Sequence, residues 1–259
     1  MEGGPAREAT QIALRQTMRA LVTRPREESE GLALALAARD IDAVIEPMIQ
    51  IHYCSLRALD LATVQAVLCT SANGVRALAR ITRERGLQLL AVGDATAARA
   101  RAEGFAVVKS AGGTVADLVR LAAERLRPVN GRLLHVAGNV AAGDLVGALR
   151  THGFVIERSV LYEARPVGAL SASAVCGLRS GVIDLALFFS PRTAAIFVNL
   201  AQSAGIVPCC RSITTLAISA DADAVLAALP WRNRLVSERP NQPALLDALD
   251  SVLAERRRS

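Results

Sequence analysis

Small polar residues follow apolar runs and precede helical segments at four places in the sequence. Such turns collect free backbone N–H groups and hydroxyls, which can bind an anion or cap the helix. Segments Leu68–Val75 and Leu90–Ala97 in the first half are repeated as Phe188–Ala194 and Leu216–Ala222 in the second. This internal repeat predicts two equivalent ligand-binding edges. The candidate residues are Ser71, Asn73, Gly74, Gly93, Thr96, Ser190, Arg192, Thr193 and Ser219.

Several familiar catalytic motifs are missing. The segment Gly138–Asp144 has the glycine spacing of a phosphate-binding loop, but Asp144 stands where that loop needs lysine. No GxGxxG motif opens a helix, and no GxSxG or HExxH motif occurs. Of the three histidines, His135 is expected in a strand as a hydrogen-bonded core residue, and His52 lies in an extended segment. Nucleotide binding and histidine-based hydrolysis are therefore disfavoured.

The composition indicates a folded α/β protein. Of the 259 residues, 52% are hydrophobic and 21% charged, which excludes a disordered chain. Aromatic residues make up only 3%, too few for a platform that stacks single-stranded nucleic acid. The net charge is +6, but the arginines are scattered among acidic residues, and three of them form the run Arg256–Arg258 near the end of the sequence. We therefore expect no nucleic-acid partner.

The cysteines and the N-terminal segment bear on the compartment. Five cysteines occur without CxxC pairs or histidines at zinc-finger spacing, so the sequence predicts neither a disulfide framework nor a metal site. Residues 1–20 carry several charges and no apolar signal-peptide core. The longest uncharged stretch of interest, Thr193–Cys210, is interrupted by polar residues, glycine and proline. These features predict a cytoplasmic protein without membrane segments.

Apolar runs alternate with segments of helical period, which is typical of βα units and a parallel sheet. Two extended segments break this rhythm, residues 47–53 and 159–166, and we expect them to pair as a two-stranded connector. The chain would then have an N-terminal extension (1–19), a discontinuous domain (20–46 and 167–259) and an inserted domain (54–158). The predicted strands cover residues 20–23, 43–46, 66–69, 88–92, 105–108, 133–136, 155–161, 185–189 and 214–218.

A series of short motifs resembles the ordered landmarks of the uroporphyrinogen-III synthase family. No single motif is specific, since each is a strand end or a strand-to-helix turn, but their order and spacing from about residue 20 to 254 match. The motifs are Val22–Pro25, Glu46–Ile49, Thr70–Val75, Ala91–Ala97, Val160–Glu163, Phe189–Ala194, Ala217–Ser219 and Pro240–Leu246.

This resemblance implies two flavodoxin-like parallel-sheet domains joined by a two-stranded β ladder. It also implies an enzyme that cyclises hydroxymethylbilane, with loss of water and inversion of ring D, and that uses no metal or organic cofactor. Tyr162 resembles the family's candidate proton donor, and the residues at the helix starts would bind the substrate's carboxylates. The expected protein is a monomer, to which hydroxymethylbilane synthase could hand over the substrate.

Other interpretations stay open at this point. Tyr162 could also be a structural residue of a strand, with one face of its ring packed against the core and its hydroxyl exposed to water. Asp221 and Asp223 would place acidic groups near an acidic substrate, and Asn139 follows Gly138 where family members often carry an Arg-Gly pair. An altered paralogue, or a two-lobed binding protein for a small anion, fits the same pattern. A DNA-binding regulator would need a helix-turn-helix segment, and none is evident.

Overall fold

The computed structural model describes residues 17–54, 59–140 and 143–258, with side chains up to residue 254. Its strands are β1 (Met18–Val22), β2 (Ile41–Ile45), β3 (Ile49–Tyr53), β4 (Val64–Cys69), β5 (Gln88–Ala91), β6 (Val107–Ser110), β7 (Arg132–Gly138), β8 (Ile156–Pro166), β9 (Leu185–Phe188), β10 (Thr214–Ala217) and β11 (Asn233–Val236). Its α-helices are α1 (Arg26–Ala37), α2 (Ala72–Ile81), α3 (Asp94–Ala102), α4 (Val115–Arg125), α5 (Leu145–Thr151), α6 (Ala172–Arg179), α7 (Pro191–Ser203), α8 (Ala220–Leu226) and α9 (Gln242–Arg258).

The chain divides into two compact units. Unit 1 comprises the described residues up to Met48 and from Val167 onward, and unit 2 comprises the described residues from Ile49 to Pro166. Among the described residues, no helix combines the length and the apolar character needed to span a membrane.

The sheet of unit 1 is entirely parallel, with the strand order β11-β10-β9-β1-β2. Its central strands are buried on both faces, as expected for a parallel sheet covered by helices on each side. Val22 packs with Leu187 in one core cluster. Leu21 packs with Phe188 in another, because neighbouring side chains of a strand point to opposite faces. The continuous apolar runs in the sequence thus become central strands.

The sheet of unit 2 is mixed, with the strand order β3-β8-β7-β4-β5-β6. Strands β4 to β8 run parallel, whereas β3 pairs antiparallel with β8 from Ile49 opposite Pro166 to Tyr53 opposite Tyr162. Two core clusters again occupy the faces of the sheet. Leu134 packs with the cluster that includes Tyr162, and Leu133 packs with the cluster under α4 and α5.

The two sheets share one spatial plan in a permuted chain order. In unit 1, β9, β10 and β11 extend in one direction from β1, and β2 lies on the other side. In unit 2, β4, β5 and β6 extend in the same way from β7, and β8 lies on the other side. The β1–α1–β2 unit comes first along the chain, whereas its counterpart β7–α5–β8 comes last. The internal repeat in the sequence corresponds to β4–α2–β5–α3 and β9–α7–β10–α8.

Two features of the sheets differ from the sequence-based expectation. The predicted strand 155–161 and the predicted connector segment 159–166 merge into one strand, β8 (Ile156–Pro166). This strand is parallel to β7 along its first part, and its end pairs antiparallel with β3, as predicted for the two connector segments. The predicted connector is therefore part of the sheet of unit 2 and makes that sheet mixed. Strand β11 was not predicted, because Asn233 and Arg234 give an exposed edge strand little apolar signal.

Candidate active site

The hydroxyl of Tyr162 meets a helix start at the carboxyl end of the parallel strands of unit 2. Ser71 directly precedes α2, and its Oγ accepts a hydrogen bond from the Gly74 N–H at 3.0 Å. The Tyr162 hydroxyl lies 2.8 Å from the same Oγ. Ligands of open α/β sheets bind at this edge, because strand ends and helix starts leave polar backbone groups there. The contact thus brings a phenol to the edge where a ligand is expected.

The ring of Tyr162 occupies space that only glycine can leave open on β7. Tyr162 is 9% exposed and packs in the core cluster of unit 2. A Cβ atom on Gly138 would lie 2.6 Å from the ring carbon Cζ and 2.9 Å from the hydroxyl oxygen. Because both distances are far below ordinary van der Waals contact, Gly138 is required for this position of the phenol.

The backbone around Tyr162 is held by the end of β7. The N–H of Asn139 donates to the Tyr162 carbonyl at 3.1 Å, and the Asn139 side-chain oxygen accepts from the Ala164 N–H at 3.0 Å. The Arg158 guanidinium donates to the Gly138 carbonyl at 2.5 Å. The register of β7 against β8 shifts at this point, which leaves Leu161 as the additional residue. This bulge re-aims the side chains that follow it.

The other predicted residues of unit 2 lie at the starts of α2 and α3. Asn73 is buried, and its side-chain oxygen accepts from Arg76 at 2.7 Å. Gly74 is buried, and a Cβ there would lie 3.3 Å from the Val136 carbonyl oxygen. Gly93 precedes α3, and Thr96 is buried in the first turn of that helix. Ser71 and Tyr162 are therefore the two predicted residues of unit 2 whose hydroxyls lie within hydrogen-bond distance.

The predicted residues of unit 1 lie at the starts of α7 and α8. Ser190 Oγ accepts from the Thr193 N–H at 3.1 Å, and the buried Thr193 hydroxyl donates to the Ser190 carbonyl at 3.0 Å. Ser219 Oγ accepts from the Ala222 N–H at 3.3 Å. Arg192 is exposed on the first turn of α7. Each serine thus caps its helix, and Arg192 presents a positive charge at the same edge.

Charges near the helix starts of unit 1 are partly compensated. Asp223 lies 3.7 Å from the Arg234 guanidinium, so this carboxylate is not an isolated negative charge beside α8. Arg24, which follows β1, lies over the Phe189 ring at 4.5 Å and pairs with Glu28 at 2.9 Å. In the sequence Arg24 stood out only as part of a strand-end motif, because its cation–π partner lies far along the chain.

Histidine and cysteine contribute little to the chemistry of this edge. His135 is a core residue as predicted, but neither of its ring nitrogens has a hydrogen-bond partner among the described residues. Burial, aided by the positive charge of Arg158, lowers the pKa of His135 to about 4. Burial raises the pKa of the Cys69 thiol, two residues before Ser71, to about 12. His52 is exposed on β3. Within the described ranges, no three His, Cys, Asp or Glu residues cluster as metal ligands.

Fold and site together define an α/β protein of two permuted units, each with polar helix starts at its strand ends, and with a buried tyrosine at one helix start of unit 2. A family model described as uroporphyrinogen-III synthase HemD matches residues 30–247. The chain therefore belongs to the uroporphyrinogen-III synthase family.

Two crystal structures show the same fold. Uroporphyrinogen-III synthetase from Helicobacter pylori is 17% identical, with a TM-score of 0.61, over 91% of this chain and 100% of that chain. A mutant uroporphyrinogen III synthase from Thermus thermophilus is 16% identical, with a TM-score of 0.51, over 92% of this chain and 99% of that chain. No curated protein matches the chain significantly.

Proposed function

We propose that this protein is a uroporphyrinogen-III synthase, a lyase that converts hydroxymethylbilane to uroporphyrinogen III in tetrapyrrole biosynthesis. Family membership and the fold support this class of enzyme. The observation that carries the proposal is the Tyr162 phenol, which lies 2.8 Å from Ser71 Oγ at the carboxyl end of the strands. A phenol at this edge supplies the proton donor that the reaction needs.

In the proposed reaction Tyr162 acts as the general acid. The bond between the terminal carbon and its hydroxyl breaks, and the electron pair leaves with the oxygen. That oxygen takes the phenol proton and departs as water, which leaves an azafulvene. The carbon of this cationic azafulvene bonds to the substituted carbon of ring D, which gives a spiro intermediate. The bond from that ring-D carbon to its original methylene bridge then breaks, and the released methylene carbon bonds to the free α-carbon of ring D. The hydrogen of that α-carbon leaves as a proton, which the phenolate takes up. One water is lost overall, and no oxidant or reductant is needed.

The helix starts would hold the substrate's carboxylates. Backbone N–H groups at Ser71, Gly93, Ser190 and Ser219 belong to first turns, where the positive end of the helix dipole favours anions. Arg192 adds a full positive charge in unit 1. Because such binding relies largely on backbone groups, its strength would be spread over many small contacts. The predicted monomeric state, cytoplasmic location and substrate handover remain predictions.

The test follows the isomer ratio of the product. Hydroxymethylbilane closes spontaneously to the type I isomer, so purified protein should divert it to the type III isomer without added metal or cofactor. The Tyr162→Phe variant keeps the ring in place and should lower the rate about tenfold or more, with little change in the thermal midpoint. Tyr53→Phe, which alters the tyrosine opposite Tyr162 on β3, is the matched control.

Two outcomes would contradict the proposal at different levels. A product mixture identical to the enzyme-free control, obtained with folded protein, would reject the synthase activity. Full activity of a folded Tyr162→Phe variant would leave the synthase activity standing and remove Tyr162 as the acid. Catalysis would then rest on holding the bilane in a folded shape.

A further inference from the structure

Ser71 makes two contacts, of which a helix cap needs only one. Its Oγ accepts the Gly74 N–H at 3.0 Å, which completes the cap of α2, and the same oxygen lies 2.8 Å from the Tyr162 hydroxyl. The first contact uses a lone pair of Oγ and leaves the hydroxyl hydrogen of Ser71 available for donation. The second contact brings the phenol oxygen within hydrogen-bond distance of that hydroxyl, in a geometry that allows either oxygen to be the donor.

The equivalent serine of unit 1 shows that the tyrosine contact is not part of the capping motif. Ser190 stands at the same place in the permuted plan, and its Oγ accepts the Thr193 N–H at 3.1 Å. The neighbouring side-chain oxygen at Ser190 is the Thr193 hydroxyl, also at 3.1 Å. Gly74 occupies in unit 2 the position that corresponds to Thr193, and glycine has no side-chain oxygen. The second partner of the serine in unit 2 is therefore the phenol. One motif therefore caps both helices, and the second side-chain partner of the serine differs: it is the Thr193 hydroxyl in unit 1 and the Tyr162 phenol in unit 2.

We infer that Ser71 is a positioning residue that prepares Tyr162 for proton transfer, an inference that rests on the proposed function. The Ser71 hydroxyl donates to the phenol oxygen, and this hydrogen bond strengthens when the phenol becomes a phenolate, because charge-assisted hydrogen bonds are stronger than neutral ones. In this arrangement the phenol does not donate its own hydrogen to Ser71. Ser71 thus fixes the orientation of the phenol and makes it a stronger acid.

The first measurement follows the protonation of the Tyr162 phenol and does not require enzyme activity. The chain has two tyrosines, so labelling tyrosine with ¹³C at Cζ gives two NMR signals, which the Tyr53→Phe variant assigns. In Ser71→Ala the phenolate loses its donor, and we expect the titration midpoint of the Tyr162 signal to move upward by about half a unit or more. Ser71→Thr retains a hydroxyl and should restore the original midpoint.

The second measurement separates positioning from capping. Thr114 caps α4 of the same unit, and its Oγ accepts the Asp117 N–H at 3.1 Å; Thr114→Ala therefore removes a comparable cap. Both alanine variants should lower the midpoint of urea unfolding by a similar amount. Only Ser71→Ala should lower kcat, by about threefold to tenfold at unchanged KM. It should also shift the alkaline limb of the pH–rate profile to higher pH.

The outcomes distinguish the two proposals. An unchanged Tyr162 midpoint in Ser71→Ala, or equal loss of kcat in Ser71→Ala and Thr114→Ala, would reject the positioning role. Failure of Ser71→Thr to restore the midpoint would reject it as well. If the parent protein formed no type III product, the synthase proposal would fall, and a shifted midpoint would still establish the hydrogen bond to Tyr162.

Discussion

Gly138 controls the position of the Tyr162 ring through the absence of a side chain. A Cβ at residue 138 would lie 2.6 Å from ring carbon Cζ, so Gly138→Ala must displace the ring or the strand. We expect a loss of about 1–3 kcal/mol in the free energy of unfolding, typical of overpacking, together with a lower rate. Urea unfolding and type III product rates measure the two effects.

Gly168→Ala is the matched control for Gly138→Ala, because a Cβ at residue 168 meets no atom within 4 Å. This control should leave stability and rate nearly unchanged. Combining Gly138→Ala with Tyr162→Ala removes the clashing ring, so the two stability losses should be far from additive. Additive losses would show that the clash with Tyr162 is not the reason for glycine at residue 138.

His135 predicts a specific pH dependence of stability. Burial lowers its pKa from 6.5 to about 4 in the folded protein. Below about pH 6.5 the unfolded chain binds a proton that the folded protein binds only near pH 4. The contribution of neutral His135 to the free energy of unfolding is therefore complete above pH 6.5, and it is lost as the pH falls toward 4. We expect a loss of about 1–2 kcal/mol between pH 7 and pH 5, measured by urea unfolding.

Replacing His135 by leucine should remove this part of the pH dependence. A hydrophobic side chain needs no hydrogen-bond partner at a position where both ring nitrogens lack one among the described residues. His152→Ala, at an exposed position after α5, should keep the pH dependence of the parent. Equal pH dependence in His135→Leu and the parent would assign the acid sensitivity to other groups.

At the scale of elements, the sequence predicts central strands better than edges. Leu185–Phe188 is buried throughout and reads as a continuous apolar run, so β9 is evident from the sequence. Strand β11 was not predicted, because half of its residues are polar. The sequence also did not predict that β8 is one continuous strand. The reason is that a strand that changes partners and contains a bulge has no single periodicity.

The contact between β7 and β8 near the bulge is open to a direct test. Asn139→Ala removes the side-chain oxygen that accepts the Ala164 N–H at 3.0 Å. We expect faster hydrogen exchange at the Ala164 amide and a loss of about 0.5–1.5 kcal/mol, the usual contribution of one hydrogen bond. Asn130→Ala, at an exposed residue before β7, is the control. Unaltered exchange at Ala164 would show that Asn139 does not hold this part of β8.

At the scale of the whole molecule, the candidate site depends on topology as well as on motifs. The helix-start motifs are visible in the sequence because serine before an apolar helix is a local signal. The contact of Ser71 with Tyr162 joins residues 91 positions apart. It exists because β8 follows β7, which lies beside β4, and because Gly138 leaves space for the ring. No local pattern encodes that arrangement, so the pairing of these hydroxyls could not be predicted.

The chain path also predicts that unit 2 folds without unit 1. Residues 49–166 form one continuous segment whose first and last residues, Ile49 and Pro166, pair in the β3–β8 ladder. The Val167 N–H donates to the Met48 carbonyl at 3.1 Å, so the excision points of unit 1 are adjacent too. Each unit has core clusters of its own. A segment with adjacent ends and its own core meets the requirements for independent folding.

We therefore expect the fragment 49–166 to unfold cooperatively in urea and to give dispersed NMR spectra. Its Tyr162 signal should titrate as in the full chain, because Ser71, Gly138 and Asn139 all lie in the fragment. It should not form the type III product, since the helix starts at Ser190 and Ser219, to which the proposed function assigns part of the substrate binding, are missing. A fragment that stays unfolded would show that unit 2 needs unit 1 for stability. Activity of the fragment alone would show that unit 1 does not bind the substrate.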